Sequence, residues 1–253
     1  MPFATSDGVD LHYETAGAGE TVALLNDVGF GAWQWGWQHA ALAGPFETLV
    51  SDPRGTGRSG GTADAVRVER LADDLEAVLR DHGARRVALV GSGLGGMVAL
   101  DYARRYDRVR ALALLGMALS GDAVDDDALD AMTSDGPDAL APCLTDAFRA
   151  AQSDVVEGIA AWRETDDAPP PVRAAQADAM RTFACDAPYE VGVPTLVLHG
   201  EADPVVPAAA GERLADALPD ARFVALPGRH LAHVEASRPA NDALAGFFED
   251  VMG

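Results

Sequence analysis

Residues able to do chemistry gather in this chain where apolar runs stop. The run PTLVLHG leads within a few positions to Asp203, and ARFVAL leads to His230. A carboxylate and an imidazole are the side chains of general acid–base work, the imidazole because its ordinary pKa lies near neutrality. Between them and the N-terminus, VALVGSGLGGMVAL joins an apolar run to a helical pattern through the turn Gly91-Ser92-Gly93-Leu94-Gly95. Gly91, Gly93 and Gly96 also spell G-x-G-x-x-G, the spacing of a dinucleotide-binding turn. That use requires an acidic residue at the end of the following strand, where Leu114-Leu115-Gly116 supplies none. The turn also follows two or three earlier strands instead of opening the first βα unit, so nucleotide binding ranks below proton-transfer or acyl chemistry. Trp33, Trp35 and Trp37 alternate in a cluster; core packing accounts for them, with Trp33 the ring placed to line a pocket for an apolar substrate.

Composition removes other chemistries. All 19 basic residues are arginine, so Schiff-base catalysis, a lysine base and a P-loop lysine are excluded. Against 40 acidic residues the formal charge is −21, a field that repels phosphate backbones and anionic lipid. The expected partner is a small-molecule substrate, with no nucleic acid and no membrane; the oligomeric state is not legible. Cys143 and Cys185 form no CxxC and have no histidine at metal-ligand spacing, and no feature demands a metal or organic cofactor. The N-terminus lacks a basic segment followed by an apolar run, and the stretch near Ala111–Leu119 is too short to span a bilayer. A cytoplasmic location is expected.

The elements that must position these residues alternate. Gly8–Thr15, Thr21–Asn26, Glu47–Asp52, Arg86–Gly91, Val109–Leu115, Pro194–Gly200 and Ala221–Leu226 read as strands, with helices over about 66–82, 97–105 and 238–252. Several strands are continuously apolar, as in a mostly parallel central sheet flanked by helices on both faces. Between Gly116 and Gly192 the strand signal stops, and DAVDDDALDAM, DALAPCLTDAFRAAQ and PVRAAQADAMRTF read as short helices. The expectation is a single domain over 1–253 with a helical lid insertion over about 117–192.

Four segments in this order, DPRGTGRS, GSGLGG, LHGEADPVVP and PGRHLAHVE, resemble the α/β-hydrolase fold family, and within it the 3-oxoadipate enol-lactonase-like esterases and lactonases. The resemblance covers nearly everything outside the lid. It implies an α/β-hydrolase fold in which a strained G-x-S-x-G turn lifts a nucleophile above the sheet, followed in chain order by an acid and a histidine. The acid falls on Asp203 and the histidine on His230, with His233 a nearby residue that packs. The oxyanion-hole N–H groups fall on Val28 and Leu94. Two departures stand out. Gly93 occupies the nucleophile position, and Asn26-Asp27 stands where many members carry His-Gly.

Three origins of Gly93 are open: an engineered serine-to-glycine change that silences turnover, natural divergence, or Ser92 acting instead, which fits poorly because only the central residue of the turn is lifted. Glycine adopts the strained backbone freely, where serine costs about 1–3 kcal/mol, so the substitution does not argue against the fold. Asp27 reads either as a solvent-facing turn residue or as a second acid/base group. The resemblance implies action on a small ester, lactone or related carbonyl substrate. Without the serine, a His230–Asp203 dyad and the backbone oxyanion hole also suit a cofactor-independent lyase, isomerase or cyclase, or a non-catalytic binding protein. Arg54 and Arg58 read as loop ties. Arg149, Arg163, Arg173 and Arg181 lie in the lid, where solvated surface is the default and a substrate carboxylate the alternative.

Overall fold

The apolar runs form one eight-stranded sheet in the computed structural model, which describes residues 2–252. The strands are β1 (Phe3–Ser6), β2 (Val9–Gly17), β3 (Thr21–Leu25), β4 (Glu47–Ser51), β5 (Val87–Ser92), β6 (Val109–Leu115), β7 (Thr195–Gly200) and β8 (Ala221–Leu226). Their spatial order is β1-β2-β4-β3-β5-β6-β7-β8. β2 runs antiparallel to β1 and β4; every other pairing is parallel. This is an α/β-hydrolase fold. The expected opening strand is therefore the second one. Asp7-Gly8, a strong hairpin signal, folds it back on β1, whose four residues alternate between exposed and buried and give too short a pattern to read.

Alternation along the strands divides the core. Ala23, Leu25, Leu89, Leu112 and Leu114 face one layer, packed with Leu71, Leu75 and Leu79 of α2 (Val68–His82) and Met97 and Leu100 of α3 (Leu94–Arg105). Val22, Leu24, Ala88, Val90, Ala111 and Ala113 face the other, packed with Leu42 and with Leu244, Phe247 and Phe248. Those belong to α1 (Gly36–Leu42) and α10 (Ser237–Met252). Both faces are covered, which is why β3, β5 and β7 carry no exposed residue.

Between β6 and β7 the chain forms α4 (Asp126–Thr133), α5 (Asp146–Ala151), α6 (Ser153–Asp166) and α7 (Pro170–Thr182). Asp125 caps α4 through the Ala128 N–H, and Thr145 caps α5 through the Phe148 N–H. α6 was not legible in the sequence, because it buries only Ile159 and carries no apolar stripe. After β7 come α8 (Ala208–Ala217) and the short α9 (Ala232–Glu235). Among the described residues no helix is long and apolar enough to cross a membrane.

Candidate active site

All of the chemistry-bearing loops leave the sheet at the C-terminal ends of its parallel strands. β5 ends at Ser92, Gly93 adopts φ 47° and ψ −114°, and α3 begins at Leu94. This turn is tight on all sides: a Cβ at Gly95 would meet the Leu25 carbonyl oxygen at 2.2 Å. Hence α3 can seat its first turn against the end of β3, and the Leu94 N–H turns toward the loop that follows β3.

That loop supplies the residue at the centre of the site. Asp27 is 1% exposed, which overturns its reading as a solvent-facing turn residue. Its Oδ1 accepts from the Val28 N–H at 2.7 Å and the Leu94 N–H at 3.1 Å. Its Oδ2 lies 2.9 Å from His230 Nε2 and accepts from Ser92 Oγ at 3.3 Å. His230 Nδ1 lies 2.8 Å from Asp203 Oδ2, and Asp203 Oδ1 is fixed by the N–H groups of Val205 and Val206 at 2.8 and 3.1 Å. The two donors assigned by resemblance, Val28 and Leu94, thus converge on one point, and a side-chain carboxylate oxygen is there.

Gly93 makes room for it. A Cβ at Gly93 would fall 1.9 Å from Asp27 Oδ1, far inside any van der Waals contact. A serine at Gly93 and the carboxylate of Asp27 in this position exclude each other. The same occupancy weighs against the nucleotide reading, because the turn N–H a pyrophosphate would use is bonded to a carboxylate.

His230 sits between two carboxylates with its side chain fully buried. Burial presses its pKa down, but Asp203 and Asp27 more than offset this and raise it to about 10. Burial pushes Asp203 up, yet the imidazolium and its other partners hold it at about 2. Asp27 is likewise raised by burial and, on balance, lowered by the His230 charge and its hydrogen bonds. At neutral pH the cluster is carboxylate, imidazolium, carboxylate. His233 is stacked on Trp35 at 5.0 Å, and burial depresses its pKa to about 3. It packs, as expected.

The surrounding chain holds Asp27 in place. Gln34 Oε1 accepts from the Asp27 N–H, Gln176 Oε1 from the Gly29 N–H, and Asp167 Oδ1 from the Gly31 N–H and Trp33 Nε1. Gln34, Asp167 and Gln176 carried no sequence signal, since their partners are distant or are backbone groups. Asp27 had one: the acid at this position coincides with the missing side chain at Gly93. Trp33 bonds the helical segment and lines a groove with Trp37 and Trp162, away from Asp27. A separate cavity of about 40 Å³ touches Asp27 and Leu94, with Leu71, Leu75 and Val98 among its apolar walls.

Arg54 forms a bidentate pair with Asp74 of α2, a tie between loop and helix, and Arg58 pairs with Glu14. The arginines of the segment between β6 and β7 are also paired: Arg149 with Asp146, Arg163 with Asp167, Arg173 with Asp135, and Arg181 with Asp126 and Asp130. Arg173 is buried, not surface. Cys143 and Cys185 are buried free thiols, and among the described residues no group of three or more His, Cys, Asp or Glu side chains is arranged to hold a metal ion.

A family model described as "Hydrolase_4: Serine aminopeptidase, S33" matches residues 40–236. The chain belongs to this α/β-hydrolase family. This α/β hydrolase is 32% identical over 262 residues to the putative carbamate hydrolase RutD of Variovorax paradoxus, covering 95% of this chain and 97% of that protein. It is 27% identical to the protein of that name from Azorhizobium caulinodans, covering 99% of each. Among solved structures it superposes on the enol-lactonase from Burkholderia xenovorans LB400 with a TM-score of 0.86 at 26% identity, over 98% of this chain and 100% of that one. The α/β hydrolase is accordingly an enzyme of hydrolase type, as its motifs imply.

Proposed function

We propose that this α/β hydrolase cleaves a small ester, lactone or carbamate by water attack at a carbonyl. Substrate entry displaces the Asp27 carboxylate, which frees the Val28 and Leu94 N–H groups to hold the negative charge that develops on oxygen and relieves His230 of one of its two anions, so that His230, oriented by Asp203, can take the proton from water. The convergence of those two N–H groups beside His230 Nε2 carries this reading. With Gly93 in the elbow there is no serine hydroxyl to form an acyl-enzyme. The relatives lend the substrate class: carbamate hydrolase and enol-lactonase are names of proteins that this chain resembles over nearly its whole length.

One observation favours a second reading. Asp27 places a second carboxylate beside the His230 imidazolium, an arrangement in which the Asp27 carboxylate takes a proton beside a carbonyl and the imidazolium donates one, as a lyase, isomerase or cyclase requires. In both cases substrate must displace part of the helical segment, because His230 is 2% exposed and the Pro142 and Cys143 carbonyls accept from the N–H groups of His230 and Leu231.

A panel of aryl esters, small lactones and carbamates, assayed with the unmodified protein and with His230→Gln, tests the hydrolytic reading. Turnover that His230→Gln reduces by about a thousandfold or more is expected. Absence of turnover on every member, or turnover indifferent to His230, would overturn it.

A further inference from the structure

Three of the four tryptophans line one groove apart from Asp27 and His230. Trp33 stands in the single turn Ala32–Trp35, and Trp37 follows it by four residues in α1; Trp162 and Asp166 stand four apart on α6. That spacing puts side chains on one face of a helix. The two faces meet across a space of about 440 Å³ lined by these four side chains and Gly36. We propose that this groove binds a small, free quaternary ammonium compound, with the indole rings around its methyl groups and the Asp166 carboxylate against its charge.

Core packing does not account for the groove. α6 buries only Ile159, and Trp162 is 45% exposed, so its indole adds little to the interior. The rings are nevertheless held in place. Trp33 Nε1 donates to Asp167 Oδ1 at 2.7 Å, and Asn241 Nδ2 donates to the Trp37 carbonyl at 3.1 Å. The far edge of the Trp162 ring rests on Gly158, where a Cβ would lie 3.7 Å from it. Trp37 and Trp162 meet edge to face, with ring centroids 6.4 Å apart and planes 73° apart. Two indoles at this angle make a corner that meets a ligand from two sides, and little ordering remains to be done when it binds.

The charge in the groove selects the ligand. Asp166 makes no hydrogen bond or ion pair among the described residues. The neighbouring cation, Arg163, is engaged elsewhere: its Nε donates to Asp167 Oδ2 at 2.7 Å, and its guanidinium lies over the Phe30 ring. An aromatic face attracts a cation through its quadrupole, and tryptophan does so most strongly. A primary ammonium needs several acceptors for its N–H groups and a divalent metal ion several oxygen ligands, whereas the groove offers one carboxylate. A quaternary ammonium has no N–H to satisfy, and its methyl groups gain by leaving water for the rings. The formal charge of −21 favours any cation at this surface and disfavours an anionic ligand.

Choline tests this on the full-length protein at constant ionic strength. Its controls are 3,3-dimethylbutan-1-ol, which has the same shape without the charge, and ethanolamine, which has the charge without the methyl groups. Because three of the four tryptophans line the groove, intrinsic fluorescence reads its occupancy, and calorimetry gives the affinity. Choline should bind with a Kd of about 1 mM or below and at least about tenfold more tightly than either control. Two variants locate the site. Gly36 has φ −51° and ψ −37°, and a Cβ there meets nothing within 4 Å, so Gly36→Leu adds a side chain at the groove without strain. Trp162→Ala removes an exposed ring. Each should weaken choline binding at least about tenfold, and Asp166→Asn should weaken it several-fold, with the unfolding midpoint confirming that each variant is folded.

Equal affinity for choline and its uncharged isostere would overturn the cation site and leave an apolar groove. Equal affinity for ethanolamine would overturn it too, because the acidic surface alone would then explain the binding. Choline binding indifferent to both Gly36→Leu and Trp162→Ala would place the ligand elsewhere, and a titration that does not saturate by about 50 mM would remove it altogether. Sedimentation with phosphatidylcholine vesicles, while free choline fails to bind, would make the occupant a lipid headgroup and overturn the free compound. The groove lies apart from Asp27 and His230, so each of these results leaves the hydrolytic reading to be decided by the ester panel.

Discussion

Asp27, Gly93 and His230 behave as one unit, and substitutions in it should be strongly non-additive. Asp27→Asn keeps the shape but removes a charge from a buried pair. We expect stability to fall by about 1–3 kcal/mol, read by denaturant unfolding. The charges also set a pH dependence. His230 has a folded pKa of about 10 against an ordinary 6.5, so its stabilising contribution is complete below 6.5 and disappears as pH rises through about 10. Asp203, at about 2 against 3.8, contributes above 3.8 and loses its contribution as pH falls toward 2. Unfolding free energy should thus decline from pH 6.5 to 10, and Asp27→Asn should flatten that limb; an unchanged slope would mean that Asp27 and His230 do not interact. At this scale His230, Asp203, Val28 and Leu94 were legible as a spatial group, because each follows a strand end. The burial of Asp27 was not, since a polar residue in an Asn-Asp turn has the composition of a surface loop and only the space left by Gly93 turns it inward.

The loop after β3 depends on an element far from it in sequence. Asp167, just before α7, accepts from the Gly31 N–H and Trp33 Nε1, and Gln176 of α7 accepts from the Gly29 N–H. These bonds connect the helical segment to the residues that follow the Val28 donor. Gln176→Ala should leave the buried Gly29 N–H unsatisfied, costing about 1–3 kcal/mol. It should also lower turnover by loosening the Val28 donor, measurable as faster amide exchange over residues 27–31. Unaltered exchange there would show that the loop is fixed by its own contacts, Gln34 among them. Strands β3, β5, β6 and β7 were readable because burial on both faces leaves nearly continuous apolar runs. α6 was not, because a helix that buries one residue has no periodicity to find. The contacts from α7 to the loop were unreadable for a related reason: they run from side chain to backbone and leave no pattern in residue type.

Across the molecule, 40 acidic residues against 19 arginines leave a charge of −21. Many arginines are engaged at the surface, including Arg105 with Asp73 and Arg181 with Asp126, but the acidic excess must repel itself. Raising ionic strength from about 0.01 to about 0.15 M shortens the screening length from about 30 to about 8 Å, so the melting temperature should rise by a few degrees. A fall would mean that the screened ion pairs outweigh the repulsion. The buried carboxylate–imidazolium–carboxylate cluster should be insensitive to this change, because it lies out of reach of the salt. Composition revealed the charge, and motif order revealed the fold; the exchange of roles between Asp27 and Gly93 emerges only when the loop after β3 and the β5–α3 turn are brought together. p-Nitrophenyl acetate hydrolysis by Gly93→Ser, compared with Asp27→Gly/Gly93→Ser, tests that exchange most directly. The single variant should be inactive and destabilised, since its Cβ meets Oδ1 at 1.9 Å, whereas the double variant should regain His230-dependent esterase activity. Strong activity in Gly93→Ser alone would contradict it, showing that Asp27 does not hold the serine's position.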